Sequence, residues 1–231
     1  TITAANLKTA GTVVSATKIN ANVEQTAGTL DAKDVEGAAF KQTGGAATAD
    51  TIKAAVTQNG SEAKINATTI DGTVEQTAGA ISGKTDNGSL TIKDALTQTG
   101  GKIDVGTGTL TLEKASSVAG DVDAATIDNT GMLEQNGGTI TADAVNGSFK
   151  QTEGTIAAKG DTLVFGSTVE QARAEGKTAI IGADGKAVTV ADVLTQTAGE
   201  INALTLTLQS GGSLGGTVTA GGVVAKNAGD A

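Results

Sequence analysis

Apolar and polar residues alternate in short runs along the whole chain. In Leu30-Asp31-Ala32 and in Ile140-Thr141-Ala142, two apolar side chains flank a polar one, which is the two-residue period of a strand with one buried face. Gly, Asn and Asp separate these runs. Because so short a strand cannot bury its apolar face alone, the pattern predicts strands that stack on further copies of themselves.

A longer repeat contains these runs. Residues 74–81 read VEQTAGAI, and close copies begin at Val23, Leu133 and Leu194. We number one repeat from Val23, so that its landmarks are Gln25 at position 3, Gly28 at position 6, Leu30 at position 8, Ala32 at position 10 and Val35 at position 13. The polar residue at position 3 defines the row of glutamines Gln25, Gln42, Gln58, Gln76, Gln98, Gln135, Gln151 and Gln196.

The repeat length predicts the fold class. A fixed period with strand-like runs indicates a solenoid, and a repeat of about 16–22 residues has room for three short strands and three tight corners. We therefore predict an all-β fold, a single-stranded parallel β-helix, as one domain over residues 1–231. At ~4.8 Å per coil, about twelve coils predict a rod on the order of 60 Å long. Neither end shows a polar cap, which predicts a segment of a longer chain or a subunit that stacks end to end.

The glutamines at position 3 point inward, because they lie two residues beyond an apolar position 1. A buried amide without partners costs about 1–3 kcal/mol. In a parallel stack each glutamine can donate to one neighbour in its row and accept from the other. The row is therefore predicted to be structural, and ligand binding by the row is the alternative.

Two other positions of the repeat indicate a corner and a solvent-facing surface. A glycine that recurs at one position marks a turn that needs positive φ or a small volume; the corner glycines are Gly28, Gly45, Gly79, Gly101, Gly138, Gly154 and Gly199. Position 2 mixes charges of both signs, for example Glu24 and Lys41, and is predicted to face water.

One coil and both flanks fit the repeat less well. Thr9 occupies the glutamine position of a coil before Val23. Between Gln98 and Gln135 one coil lacks its glutamine segment, although Val122, Ala124 and Ile127 fit positions 8, 10 and 13.

The largest departure is an irregular excursion at residues 160–193. Residues 169–176 read as a short helical turn closed by Gly176, although Val169 and Gln171 also fit positions 1 and 3. Residues 178–181 and 187–190 flank an Asp-Gly pair, which predicts a hairpin. An excursion of this kind is either a site of interaction or a tolerated insertion; the candidate interaction residues are Ile180, Asp184, Gly185 and Val188.

Composition removes several classes of function. The chain has no Cys, His, Tyr, Trp or Pro, three Phe, and a net charge of −9. These counts argue against nucleic acid as a partner, a disulfide framework, and zinc or other cofactor sites. Catalysis lacks its usual base and nucleophile, so we expect no enzyme; the pairs Asp31 with Asp34 and Asp121 with Asp123 are read as solvated surface. Weak calcium binding by such carboxylates stays open. No run is long enough to span a membrane. The chain starts with Thr1 inside a strand-like pattern rather than with a signal peptide, which predicts a mature or excised segment of something longer.

The repeat, the corner glycines and the composition together resemble the β-helical stems of bacterial autotransporter passengers and filamentous-haemagglutinin-type adhesins. The resemblance implies a right-handed β-helix, secretion to the bacterial cell surface, and a role as an extracellular stalk, adhesin or filament subunit. Its partner would be a further copy of the chain, joined end to end, or a surface receptor. Alternatives are a binding module that uses residues 160–193 and, less favoured, a carbohydrate-active or an ice-binding solenoid, since T-x-T strings such as 139–141 and 205–207 fall at differing positions.

Overall fold

The computed structural model describes residues 1–182 and 186–225, and within these two ranges the chain forms strands and turns but no helix. The fold is an all-β parallel β-solenoid of about 12 stacked coils. The fold class predicted from the repeat is therefore confirmed. Its right-handedness and the single domain over residues 1–231 stay predictions.

The chain forms two compact units, Thr1–Lys114 and Ala115–Ala231. The strands of unit 1 are β1 (Ile2–Thr9), β2 (Val13–Gln25), β3 (Thr29–Gln42), β4 (Ala46–Gln58), β5 (Lys64–Ile70), β6 (Val74–Gln76), β7 (Ala80–Gly83), β8 (Leu90–Ile92), β9 (Leu96–Gln98), β10 (Lys102–Asp104) and β11 (Thr109–Leu112). The strands of unit 2 are β12 (Ser116–Val118), β13 (Asp121–Asp123), β14 (Thr126–Asn129), β15 (Leu133–Thr141), β16 (Ala144–Asn146), β17 (Phe149–Ala157), β18 (Thr162–Phe165), β19 (Val169–Gln171), β20 (Ala179–Ile181), β21 (Ala187–Val190), β22 (Leu194–Gln196), β23 (Glu200–Leu208), β24 (Gly212–Leu214) and β25 (Thr217–Ala225).

Strands of successive coils pair in parallel and in register. In unit 1, β3 pairs with β4 so that Leu30 lies opposite Ala47. In unit 2, β15 pairs with β17 so that Ile140 lies opposite Ile156. Equivalent positions of successive coils therefore form columns, and the alternation along each strand decides whether a column faces the core or the solvent.

The core of each unit consists of such inward columns of aliphatic side chains. Position 13 of unit 1 forms one column, and its members are all buried: Ile19, Val35, Ile52, Ile70, Ile92 and Leu112. Full burial of a side chain of this size stabilises the fold by about 1.5–3 kcal/mol. A chain with almost no aromatic residues can thus build its core from a repeated small contribution in every coil.

Unit 2 contains the one ring contact among the described residues. The rings of Phe149 and Phe165 lie 5.3 Å apart between centroids at an interplanar angle of 34°, and both side chains are fully buried. The pair fills the interior where other coils carry Leu, Ile or Val.

The coil without a glutamine retains its strand. Ser116 of β12 lies opposite Leu133, and Val118 lies opposite Gln135. The prediction that this coil loses the whole segment is wrong; it keeps the strand and replaces the amide by an apolar side chain. Val122 and Ile127 lie opposite Ile140 and Val145, as the repeat predicts.

The helical turn predicted at residues 169–176 is wrong. Residues Val169–Gln171 form β19, which pairs with β17 and β22. Only the residues after Gln171 leave the sheet, and the chain returns to it at Ala179. Pairing with two neighbouring coils overrides a local helical preference that one turn could not have stabilised alone.

The predicted hairpin is also wrong. Strand β20 pairs in parallel with β17 and β23, and β21 pairs in parallel with β18 and β23. The two segments are therefore successive sides of one coil rather than partners. Asp184 and Gly185, two candidate interaction residues, lie outside the described residues.

Candidate functional site: the glutamine rows

In unit 1 the side chains at position 3 form one hydrogen-bonded row. Each amide nitrogen donates to the side-chain oxygen of the preceding glutamine: Gln42 to Gln25 over 3.1 Å, Gln58 to Gln42 over 2.9 Å, Gln76 to Gln58 over 2.9 Å and Gln98 to Gln76 over 3.0 Å. All five glutamines are buried, with at most 1% of their surface exposed. All hydrogen bonds of the row run in one direction, from the amide nitrogen of one glutamine to the side-chain oxygen of the glutamine in the preceding coil.

The same amide groups also bind backbone carbonyls. The Nε2 of Gln42 also lies 2.8 Å from the carbonyl oxygen of Lys64 in the next coil and 3.2 Å from that of Gly45 in its own corner. Its two N–H groups therefore serve three acceptors, with one N–H shared between two of them. Gln76 repeats this arrangement with Gly79 at 3.3 Å and Lys102 at 3.1 Å. A glutamine therefore joins its own strand, its corner and both neighbouring coils.

Unit 2 contains a second row, which includes a residue that the sequence prediction omitted. Gln151 donates to Gln135 over 2.9 Å, Gln171 to Gln151 over 2.8 Å and Gln196 to Gln171 over 2.9 Å. Gln171 is fully buried and also donates to the carbonyl of Glu200 over 3.0 Å. In the sequence, Val169 and Gln171 fit positions 1 and 3 of the repeat. Because residues 169–176 were interpreted as a helical turn, Gln171 was left out of the predicted row.

Other residue types stand opposite the outer members of the rows. Thr9 lies opposite Gln25, as predicted, and its buried hydroxyl oxygen has no hydrogen-bond partner among the described residues. Val118 lies opposite Gln135, and Leu214 lies opposite Gln196. The row of unit 2 is thus bounded at both ends by an apolar side chain, which cannot continue the amide chain.

The corner glycines lie directly beside the amide groups. All seven predicted positions have positive φ, between 61° and 103°, which L-residues rarely adopt. At Gly199 a Cβ atom would also approach Cδ of Gln171 to 2.8 Å. Glycine at this corner is therefore required for the backbone conformation and for the space that the neighbouring glutamine occupies.

The outer face at position 2 carries ion pairs between coils. Lys8 contacts Glu24 at 2.8 Å, and Lys150 contacts Glu134 at 3.1 Å. The hydrogen bond from Lys8 holds the pKa of the Glu24 carboxyl below its usual value, and the same bond raises the pKa of Lys8. Both side chains of the first pair are at least half exposed, so the contribution of this pair to stability is small.

A second charged column, which the sequence analysis missed, follows position 13 of unit 1. Its members alternate in sign along five coils: Glu36, Lys53, Asp71, Lys93 and Glu113. Glu36 contacts Lys18 at 2.7 Å and Lys53 at 2.9 Å, and these hydrogen bonds lower the pKa of its carboxyl. The signal lies in the sequence, because each member directly follows a buried position 13 residue.

No protein-family model, curated protein or solved structure matches this chain. The β-solenoid fold is compatible with β-helical repeat proteins such as adhesin stems, and this shared fold is the extent of the likeness. Within residues 1–182 and 186–225, no three His, Cys, Asp or Glu side chains group as metal ligands would. In the same ranges, no helix is long and apolar enough to cross a membrane.

The candidate interaction residues of the excursion have different environments. Val188 is a core residue, 1% exposed, and lies opposite Leu163 and Leu206. Ile180 is half-buried, and its carbonyl accepts a hydrogen bond from Gln151 over 3.0 Å. Among the described residues of the excursion, the longest exposed stretch is 173–178.

Proposed function

We propose that this chain is a non-enzymatic structural protein of the bacterial cell surface, a stalk or filament segment that holds attached parts away from the cell. Its work in this proposal is mechanical: to stay folded under load and to resist proteases. The extracellular location and the adhesin-like role come from the resemblance described above, and the proposal includes them on that basis.

The observation that carries the proposal is the repetition of one bonding pattern in nearly every coil. Gln42, Gln58 and Gln76 each join the coil below through a side-chain amide and the coil above through a backbone carbonyl. These bonds add to the parallel backbone pairing of the same coils. To separate two coils, all of these bonds must break at once and amide groups that are buried must lose their partners.

The outer surface supports the same role. Ion pairs link neighbouring coils at Lys8 with Glu24, at Lys53 with Glu36 and at Lys150 with Glu134. Alternating charges along a column favour the in-register stack and disfavour a shift by one coil, which would place like charges together. The surface charges thus favour the same register of stacked coils that the buried glutamine hydrogen bonds stabilise.

Single-molecule force spectroscopy tests the proposal. The chain contains no Cys, so one Cys added at each end gives two unique attachment points. We expect unravelling in steps of one coil or a few coils, each coil adding on the order of 60 Å of extended chain, because ~17 residues span at most ~3.6 Å each.

The matched comparison is Gln58→Leu against Glu75→Gln. Gln58→Leu removes the amide of a buried row member, whereas Glu75 occupies the exposed position 2 of the next coil. We expect a lower unravelling force for the first variant and an unchanged force for the second. A chain that extends smoothly at low force, without discrete steps, would rule out a mechanical role.

A further inference from the structure

The segment 172–178 is the longest stretch without strand structure among the described residues. It connects β19, which ends at Gln171, to β20, which begins at Ala179. Residues 173–178 are all exposed. Its interior makes two backbone hydrogen bonds, from Ala174 to the carbonyl of Thr152 over 3.0 Å and from Lys177 to that of Ala174 over 3.1 Å. Each end makes one more, from Ala172 to the carbonyl of Gln151 over 2.9 Å and from Gly154 to that of Thr178 over 2.7 Å. The side chain of Lys177 also contacts Glu153 at 3.3 Å.

The loop carries the only arginine of the chain, Arg173. A protease needs several residues of its substrate in extended form, and a segment with few internal bonds reaches that form by local opening at low free-energy cost. Many lysines of the chain, by contrast, lie in paired strands; Lys53 and Lys150, for example, belong to β4 and β17 and contact carboxylates of the preceding coil. The loop therefore combines exposure and few internal bonds with the only arginine of the chain.

Both ends of the loop are fixed independently of it. On one side, the side chain of Gln171 bonds Gln151 at 2.8 Å and Gln196 at 2.9 Å. On the other side, β20 pairs with β17 and with β23. A break in the backbone between these anchors leaves the bonds of both anchors in place, although the N–H of Ala174, which bonds the carbonyl of Thr152, belongs to the peptide that is broken.

We propose that the 172–178 loop is a processing site, cleaved after Arg173 by an endoprotease that has an acidic specificity pocket. In the reaction water adds across the Arg173–Ala174 peptide bond: the C–N bond breaks, Arg173 gains a carboxylate and Ala174 gains an ammonium group. The product is a two-chain form in which residues 1–173 and the chain from Ala174 onward stay assembled. Cleavage is compatible with a load-bearing role, because the glutamine bonds on one side of the loop and the strand pairing on the other side are kept.

Limited digestion of the full chain with trypsin under native conditions tests this proposal. We expect one early cut, identified by intact mass as the bond after Arg173, and a product that elutes as the uncut protein from a size-exclusion column. The two fragments should separate only in denaturant. Arg173→Gln should slow this cleavage at least about tenfold, because the acidic pocket of trypsin selects a cationic side chain, whereas Lys177→Gln in the same loop should leave the cut after Arg173 unchanged.

Three results would overturn the proposal. The first is an early cut at any other bond, including the one after Lys177. The second is separation of the fragments on the native column. The third is resistance of the native chain at every bond under conditions that digest the unfolded chain. Folding of each variant is checked by its circular dichroism spectrum, and a Lys177→Gln variant that folds keeps the test valid even if Arg173→Gln does not fold.

Discussion

The side-chain amide of Gln58 donates to the side-chain oxygen of Gln42 over 2.9 Å, and both residues are fully buried. The same nitrogen reaches the carbonyl of Ala80 at 3.0 Å. The amide group of Gln58 thus links its coil to both neighbours, which the aliphatic core alone would hold through non-directional contacts.

Removal of one amide from the row should destabilise the fold far more than removal of a surface charge. In Gln58→Leu, the oxygen of Gln42 and the carbonyl of Ala80 lose a donor while they remain buried, so we expect a loss of about 2–4 kcal/mol in the free energy of unfolding. Glu75→Gln should change it by less than about 0.5 kcal/mol. Urea unfolding measures both, and equal effects would show that the row contributes no specific stability.

Extension of the row in unit 2 should be tolerated. Val118 stands in the row opposite Gln135, so in Val118→Gln the new oxygen can accept from Gln135, and we expect a change smaller than about 1 kcal/mol. The control is Val122→Gln at the aliphatic position 8, where a buried amide without an amide neighbour should cost about 2–4 kcal/mol. Similar losses at both sites would contradict the special status of the row.

Glycine at a corner should matter for two separable reasons. Gly11 and Gly79 both have positive φ, 86° and 80°. A Cβ at Gly79 would meet the carbonyl oxygens of Gly60 and Ala63 at 2.6 Å and Cδ of Gln58 at 3.1 Å, whereas one at Gly11 would meet nothing within 4 Å. Gly11→Ala should therefore cost about 1–2 kcal/mol for the backbone alone, and Gly79→Ala about 1–3 kcal/mol more. Thermal unfolding of the two variants compares them, and an equal loss would refute the steric part.

The charged column should make unit 1 sensitive to acid. The pKa of Glu36 is lowered by Lys18 and Lys53, so its stabilising contribution is present above the unfolded value of about 4.3 and is lost as the pH falls through the folded value. Glu36→Gln should reduce the difference in stability between pH 7 and pH 3. Glu62→Gln, the same charge change at an exposed turn residue, should not. A Glu36 carboxyl that titrates at its unfolded value by NMR would contradict the argument.

Features that recur in each coil could be predicted from the sequence, whereas features of a single coil that departs from the repeat could not. Gln25 and Gln42 could be assigned from sequence because a buried amide must be satisfied in the same way in each coil. Val118 could not, because an apolar residue at that position has no distinguishing mark. The Asp-Gly pair at 184–185 predicted a hairpin because this pair favours a tight turn. Strands β20 and β21 instead each pair in parallel with strands of the preceding and the following coil, and local turn preference does not reveal such pairing.

The central claim is that nine glutamine side chains lie inside the solenoid and hydrogen bond to one another. Hydrogen exchange of side-chain amides, followed by ¹⁵N–¹H NMR after transfer to D₂O, tests it directly, because the tenth glutamine, Gln209, is exposed and serves as an internal control. We predict that the Gln209 signal disappears at once while signals of interior members such as Gln58 and Gln171 persist far longer. Loss of all ten signals at the rate of Gln209 would contradict the account.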